Sequence, residues 1–195
     1  MRVLCRCLPL VLLWAAVVHA GSAYDHLVPM RDGVRLATTV YTPDGNGPWP
    51  VILARTPYDK EGFREGHAAY TANGFAFVAQ DVRGKYGSEG PYEPFATDRE
   101  DGYDTIAWIM AQAFCDGNIG MTGGSALGIT ANLAASTNPP GLKAAFVVVA
   151  PASQLTQSTF TNGAFRYAQV GQWMEKNGAG DQVAAIMAEP VLNDR

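Results

Sequence analysis

The chain has 195 residues, enough for one domain with a real core and too few for two large ones. Apolar residues make up 48% and charged residues 16%, a globular balance that excludes a disordered or fibrous chain. The formal net charge is −4 with no basic run or patch, so no nucleic-acid partner is expected.

Arg2 and Arg6 precede an apolar stretch over residues 8–18, and small residues follow at Ala20, Gly21, Ser22 and Ala23. This order is that of a secretory signal peptide over residues 1–23, cut after Ala20 or after Ala23. The apolar stretch is shorter than the roughly 20 residues that span a bilayer. The mature chain is therefore expected to be exported, periplasmic or secreted, with no stable membrane span. Its charge falls to roughly −6 once Arg2 and Arg6 are gone. Cys5 and Cys7 leave with the signal, and the remaining Cys115 is expected to be a small buried hydrophobe. With so few Cys and His, neither an internal disulfide nor a zinc site is expected.

Residues 27–31 and 34–41 predict two strands, joined at Asp32-Gly33 by a two-residue type I′ turn. Residues 42–50 form a Pro- and Gly-rich loop, and residues 50–54 a buried apolar strand. A short helix over 67–72 stops at Asn73-Gly74, and residues 75–80 make the next strand. Thr97 and Glu100 predict a capping box, opening a helix that ends near Phe114. Residues 118–122 form a strand, Gly123-Gly124-Ser125 a turn, and residues 127–136 a helix. Residues 142–150, with Phe146-Val147-Val148-Val149, predict a fully buried strand. Strands alternating with helices imply right-handed crossovers and a mostly parallel sheet with helices on both faces; the opening hairpin supplies an antiparallel edge. After Pro151 the composition shifts to Ser, Thr, Gln, Asn and Gly, followed by amphipathic stretches over 164–176 and 182–188. Residues 24–152 thus form the main domain and 153–195 the start of a helical cap.

Strand, sharp turn, serine and helix is the arrangement of a nucleophile elbow, and Gly123 and Gly124 relieve its crowding. The helix that follows offers free N–H groups and its positive dipole end to an oxyanion. In Gly123-Gly124-Ser125-Ala126-Leu127-Gly128 the second glycine comes one position later than in Gly-x-Ser-x-Gly. The residues alone leave two readings of this turn: a catalytic serine, or a tightly packed or phosphate-holding glycine turn.

Ordered matches run through most of the mature chain: Pro29 to Ala37, Arg55-Thr56-Pro57-Tyr58-Asp59-Lys60, Gln80-Asp81-Val82-Arg83-Gly84, Asp101 to Trp108, Cys115 to Met121 and the Ser125 segment. Leu142-Lys143-Ala144 and Gly163-Ala164-Phe165 extend them. On these motifs the chain resembles the cocaine-esterase and X-Pro dipeptidyl-peptidase-like family of serine hydrolases, which includes α-amino-acid ester hydrolases and glutaryl acylases. The resemblance implies an α/β-hydrolase fold, no cofactor, and a small-molecule ester, amide or short-peptide substrate. That family's elbow, Gly-x-Ser-Tyr-x-Gly, accounts for the late Gly128. Carried over, Ser125 is the nucleophile, the Ala126 backbone N–H one oxyanion donor and the Tyr58 hydroxyl the other. Ala126 departs from the family's tyrosine, which leaves space beside the nucleophile. Read without the resemblance, Tyr58 is a loop tyrosine packed on Pro57. Asp81 is expected to cap its turn and pair Arg83. Asp101, Asp104 and Asp116 are expected as cap or turn residues, and Trp108 as core.

A serine nucleophile needs a base and an acid, which in α/β hydrolases follow the serine in the order Asp or Glu, then His. The histidines here are His19, His26 and His67, all before Ser125, and His67 reads as a surface or half-buried residue. Asp181 and Asp194 follow Ser125 but fall in the cap stretch and are assigned to no triad. The expectation is a fragment, a truncated gene product or a degenerate relative, inactive as it stands. The alternative is a non-catalytic α/β-hydrolase-like domain that binds a ligand or partner.

Overall fold

The computed structural model describes residues 22–188. The expected signal peptide through Gly21, with Cys5, Cys7 and His19, lies outside them, as does Asp194. Ala23 opens the first strand, so a cut after Ala20 leaves that strand whole and a cut after Ala23 trims it by one residue.

In chain order the strands are β1 (Ala23–Pro29), β2 (Arg35–Tyr41), β3 (Trp49–Thr56), β4 (Ala76–Asp81), β5 (Cys115–Gly124) and β6 (Leu142–Val148). They form one sheet in the order β1-β2-β4-β3-β5-β6. β1 and β2 are antiparallel, as are β2 and β4, while β3, β4, β5 and β6 run parallel. The connecting helices are α1 (Ala68–Thr71), α2 (Asp98–Met110) and α3 (Ala126–Ala135). Successive strand residues face opposite sides of a sheet, and β4 shows what each side meets. Val78 joins Leu53, Ile106, Ile109, Ala131 and Ala134 under α2 and α3. Phe77 and Ala79 join Tyr41, Phe63 and Tyr70 on the α1 side.

Several expectations need correction. The first hairpin turn is not a two-residue type I′ turn. Pro29 pairs with Arg35, Gly33 N–H donates to Met30 O, and only Gly33 takes a positive φ, 87°. The loop is longer because β1 leaves its partner at Pro29, before the apolar pattern ends. A two-residue turn with two positive φ values does occur, at Asn162-Gly163 (50° and 84°), between β7 (Phe160–Thr161) and β8 (Ala164–Phe165). The capping box does not form. Thr97 stands at the N-cap of α2, but its hydroxyl donates to Asp101 Oδ2 at 2.8 Å instead of accepting from the helix. α2 ends at Met110, short of Phe114, while β5 starts three residues early, at Cys115. β6 is the edge strand of the described sheet and is largely exposed, not fully buried, because only β5 flanks it.

Cys115 is half-buried against the core under α2 and α3. Trp108 is half-buried there too. Asp81 does not pair Arg83: its main bond is from Lys60 N at 2.7 Å, in the segment after β3, and in its own turn it accepts only a long bond from Gly87 N at 3.5 Å. Arg83 instead bridges Asp101 and Asp32 at 2.6 and 2.7 Å. Asp101 and Asp104 are thus ion-pair members, Asp104 holding Arg31 at 2.8 Å, whereas Asp116 is a turn residue accepting from Asn118 N.

Beyond β6 the chain is less regular than two amphipathic helices. It contains a π-helical turn (Gln154–Thr159), the β7–β8 hairpin, a second π-helical turn (Tyr167–Gly171), α4 (Gln172–Lys176) and α5 (Val183–Ala188). Met174, Ala179 and Val183 form its small core.

Candidate active site

Ser125 sits where β5 turns into α3, with φ 54° and ψ −122°. Such a conformation is costly for any residue with a Cβ, on the order of 1–3 kcal/mol, and persists only where its surroundings enforce it. Here they do. Ser125 N–H donates to Val148 O at 2.9 Å, and its carbonyl accepts from Ile129 N at 3.0 Å. A Cβ on Gly123 would come within 2.5 Å of the Leu127 backbone. One on Gly128 would meet Ala150 Cβ at 2.8 Å, Gly123 O at 2.9 Å and Val147 Cγ1 at 3.0 Å. The late glycine is therefore set by packing: α3 touches the β5 turn and the end of β6 at residue 128. Ser125 itself is exposed, and the Ala126 N–H belongs to the first turn of α3, where helix donors have no intrahelical acceptor.

Ser125 and Ala126 open onto a cleft of about 170 Å³ between the elbow and the segment after β6. Phe95, Gln154, Trp173 and Ile186 also line it, and no charged side chain does among the described residues. Phe95 stacks on Trp173 with ring centroids 5.6 Å apart. Tyr58 does not line the cleft but adjoins its wall. Trp173 Nε1–H donates to the Tyr58 hydroxyl at 2.8 Å, and the two rings meet edge to face. An indole N–H only donates. The phenol oxygen is therefore the acceptor, and its own hydrogen is free to point elsewhere.

The interior behind the site ties its parts together. Arg55, at the end of β3 and wholly buried, donates to Gln80 Oε1 and Asp98 Oδ1, both at 2.7 Å. Its carbonyl accepts the Thr130 hydroxyl of α3 at 3.1 Å. The strand leading to Tyr58 and the helix following Ser125 thus share one buried anchor. At Gly102 α2 crosses α3 so closely that a Cβ would lie 2.5 Å from Ala134 Cβ.

The described histidines are employed elsewhere. His26 packs edge-on against Trp108. Half-buried His67 stacks on Tyr41 at 3.9 Å, and burial holds its pKa below the usual imidazole value. Tyr41 and His67 line a larger depression of about 610 Å³ at the opposite end of the parallel strands. Ligands of open α/β sheets bind beyond the carboxyl ends of the strands, which favours the smaller cleft. Among the described residues no group of three or more His, Cys, Asp or Glu could hold a metal ion, and no helix is long and apolar enough to cross a membrane.

Gln154 and Trp173 are cleft residues that sequence reasoning missed. Trp173 lies in the amphipathic stretch 164–176 and was legible as an aromatic there. Gln154 lies in a π-helical turn, which has no readable periodicity.

A mostly parallel sheet with helices on both faces, and a strained serine at a strand-to-helix turn, define an α/β hydrolase. A family model described as X-Pro dipeptidyl-peptidase (S15 family) matches residues 32–191, and the chain belongs to this family of hydrolases. A cocaine esterase from Rhodococcus sp. (strain MB1 Bresler) is 47% identical over 128 residues, 63% of this chain and 22% of that one. A solved α-amino acid ester hydrolase is similar with a TM-score of 0.69 at 32% identity, covering 80% of this chain and 30% of the other. A CocE/NonD family hydrolase from Staphylococcus aureus gives a TM-score of 0.75 at 25% identity, with 87% and 36% covered. The chain thus spans about a third or less of the length of the first two relatives.

Proposed function

We propose that the chain carries the nucleophile-bearing part of an exported esterase that works through an acyl-Ser125 intermediate. The observation that carries this reading is the backbone of Ser125, φ 54° and ψ −122°, which presents an exposed hydroxyl at the start of a helix. In this reading Ser125 Oγ attacks the ester carbonyl. The Ala126 N–H and the Tyr58 hydroxyl donate to the oxyanion that forms. The bond from Trp173 supports the phenol's role, since it occupies the oxygen as acceptor and leaves the proton to give. The uncharged cleft and the cocaine esterase and α-amino acid ester hydrolase relatives favour esters over peptides with charged termini. A purely binding domain would have no need of a strained serine.

Among the described residues no side chain accepts the Ser125 proton, so acylation and deacylation by this chain are both slow. A slowly hydrolysed acyl group accumulates. Incubation with 4-nitrophenyl acetate followed by peptide mass spectrometry should find an acetyl group on Ser125. Tyr58→Phe should reduce it several-fold, while steady-state turnover stays at the Ser125→Ala level. Acetylation confined to lysines would overturn the nucleophile. Clear turnover lost in both variants would overturn the inactivity.

A further inference from the structure

Three glutamines line the cleft beside Ser125, and their side chains are committed differently. Gln182 Nε2 donates to Tyr92 O at 2.8 Å. Gln169 Oε1 accepts from Arg166 Nη2. Gln154 Nε2 is buried and has no hydrogen-bond partner among the described residues. A buried amide without a partner loses its hydration and gains nothing in return, so such groups are uncommon in folded proteins.

The backbone around Gln154 is fixed on both sides. The Gln157 side-chain oxygen accepts from Ala152 N at 3.0 Å and Ser153 N at 3.3 Å, bracing the approach to the π-helical turn. Ser153 Oγ accepts from Thr156 N at 3.2 Å and from the Thr156 hydroxyl at 2.9 Å. The backbone at Gln154 is therefore held beside the cleft, and a turn of its side chain brings the unpartnered amide to it. A carboxylate or ammonium ligand would find no countercharge, since no charged side chain lines the cleft. A neutral oxygen acceptor matches what the amide offers.

We propose that Gln154 is a specificity-determining residue, its side-chain amide donating to an uncharged carbonyl-type oxygen on a small ligand held in the cleft beside Ser125. This rests on the cleft being the substrate site. The ligand class is a compact neutral carbonyl compound with an apolar or aromatic body. A cleft of about 170 Å³ walled by Phe95 and Trp173 suits a single ring.

The test uses two isosteres, acetophenone and α-methylstyrene, which differ by C=O against C=CH₂. Their dissociation constants are measured by ligand-observed NMR on the whole chain, wild type, Gln154→Leu and Gln154→Met. The acetophenone-to-styrene Kd ratio is expected to rise about tenfold in both variants, the loss of one hydrogen bond to a buried donor. An unchanged ratio in folded Gln154 variants, or no binding of either probe to wild type, overturns the assignment. Acetylation of Ser125 is scored separately. A shifted ratio without acetylation removes the hydrolase reading and keeps Gln154. Acetylation with an unshifted ratio does the reverse.

Discussion

β4 and β6 are both short, apolar strands of the same sheet, and they have opposite fates. All six residues of β4 are buried, between β2 and β3. β6 touches only β5 and leaves Phe146 71%, Val148 44% and the following Val149 83% exposed. Composition selects the strand conformation, because β-branched and aromatic side chains fit a pleated surface. Burial is decided by what lies beside the strand and on the two faces of the sheet, which the residues of one strand do not encode. The contrast also separates the site's supports: the buried centre anchors Tyr58 and Ser125 through Arg55, while the edge contributes one carbonyl, Val148 O, to the elbow.

One residue type tests the contrast directly. Phe77 in β4 is wholly buried and stacks on Tyr70 at 4.6 Å, whereas Phe146 stands in the open. Phe77→Ala should cost about 3–5 kcal/mol in urea unfolding, and Phe146→Ala should stay within about 0.5 kcal/mol. Similar losses for the two would break the distinction between centre and edge.

Titration sharpens it at the end of β4. Burial pushes the Asp81 carboxyl up to about 6, against an ordinary value of 3.8. Between those values the folded chain holds a proton that the unfolded chain has lost. The Asp81 contribution to stability is therefore full below pH 4 and is lost as pH rises through 6, by about 1–3 kcal/mol. Asp81→Asn keeps an oxygen for Lys60 N and removes the charge. Relative to wild type it should gain stability at pH 7 and not at pH 4, read from melting temperatures across that range. Parallel curves for the two proteins would contradict a buried, proton-holding Asp81.

The smallest effect on stability belongs to the edge, where association is the more telling readout. An exposed apolar edge strand is a template for pairing with another chain. Phe146→Lys should reduce self-association in sedimentation velocity while moving the unfolding midpoint little. Unchanged association would place the sticky surface elsewhere.

Much of the architecture was legible in the sequence, for identifiable reasons. β2, β3, β4 and β6 were signalled by β-rich apolar runs and the Ser125 turn by small residues packed between strand and helix, whereas β1, expected over 27–31, lies at Ala23–Pro29, its polar and exposed first half giving no apolar signal. Thr97 was legible as an N-cap position, but not its choice of Asp101 over the helix backbone. That choice depends on Arg83 and Arg55 gathering around Asp101 from distant segments. The exposure of β6 was illegible for the reason already given. The cleft's far wall was missed because π-helical turns, a two-residue-strand hairpin and short helices leave no sustained period to read. Tyr58 was legible only through family resemblance, since its contact with Trp173 spans 115 positions of sequence.

Gly102 also sets an order of events during folding. A glycine within a helix costs about 1 kcal/mol of intrinsic helicity relative to alanine, and Ala134 leaves no room for a better helix former. With 13 residues, α2 is at the length where isolated helices are marginal in water. It gains its helicity on docking, partly on the β3 and β4 side chains that precede it and partly on α3, which comes later in the chain. During synthesis α2 can therefore settle on the strands already made, but its Gly102 face stays open until α3 has emerged to bring Ala134 against it.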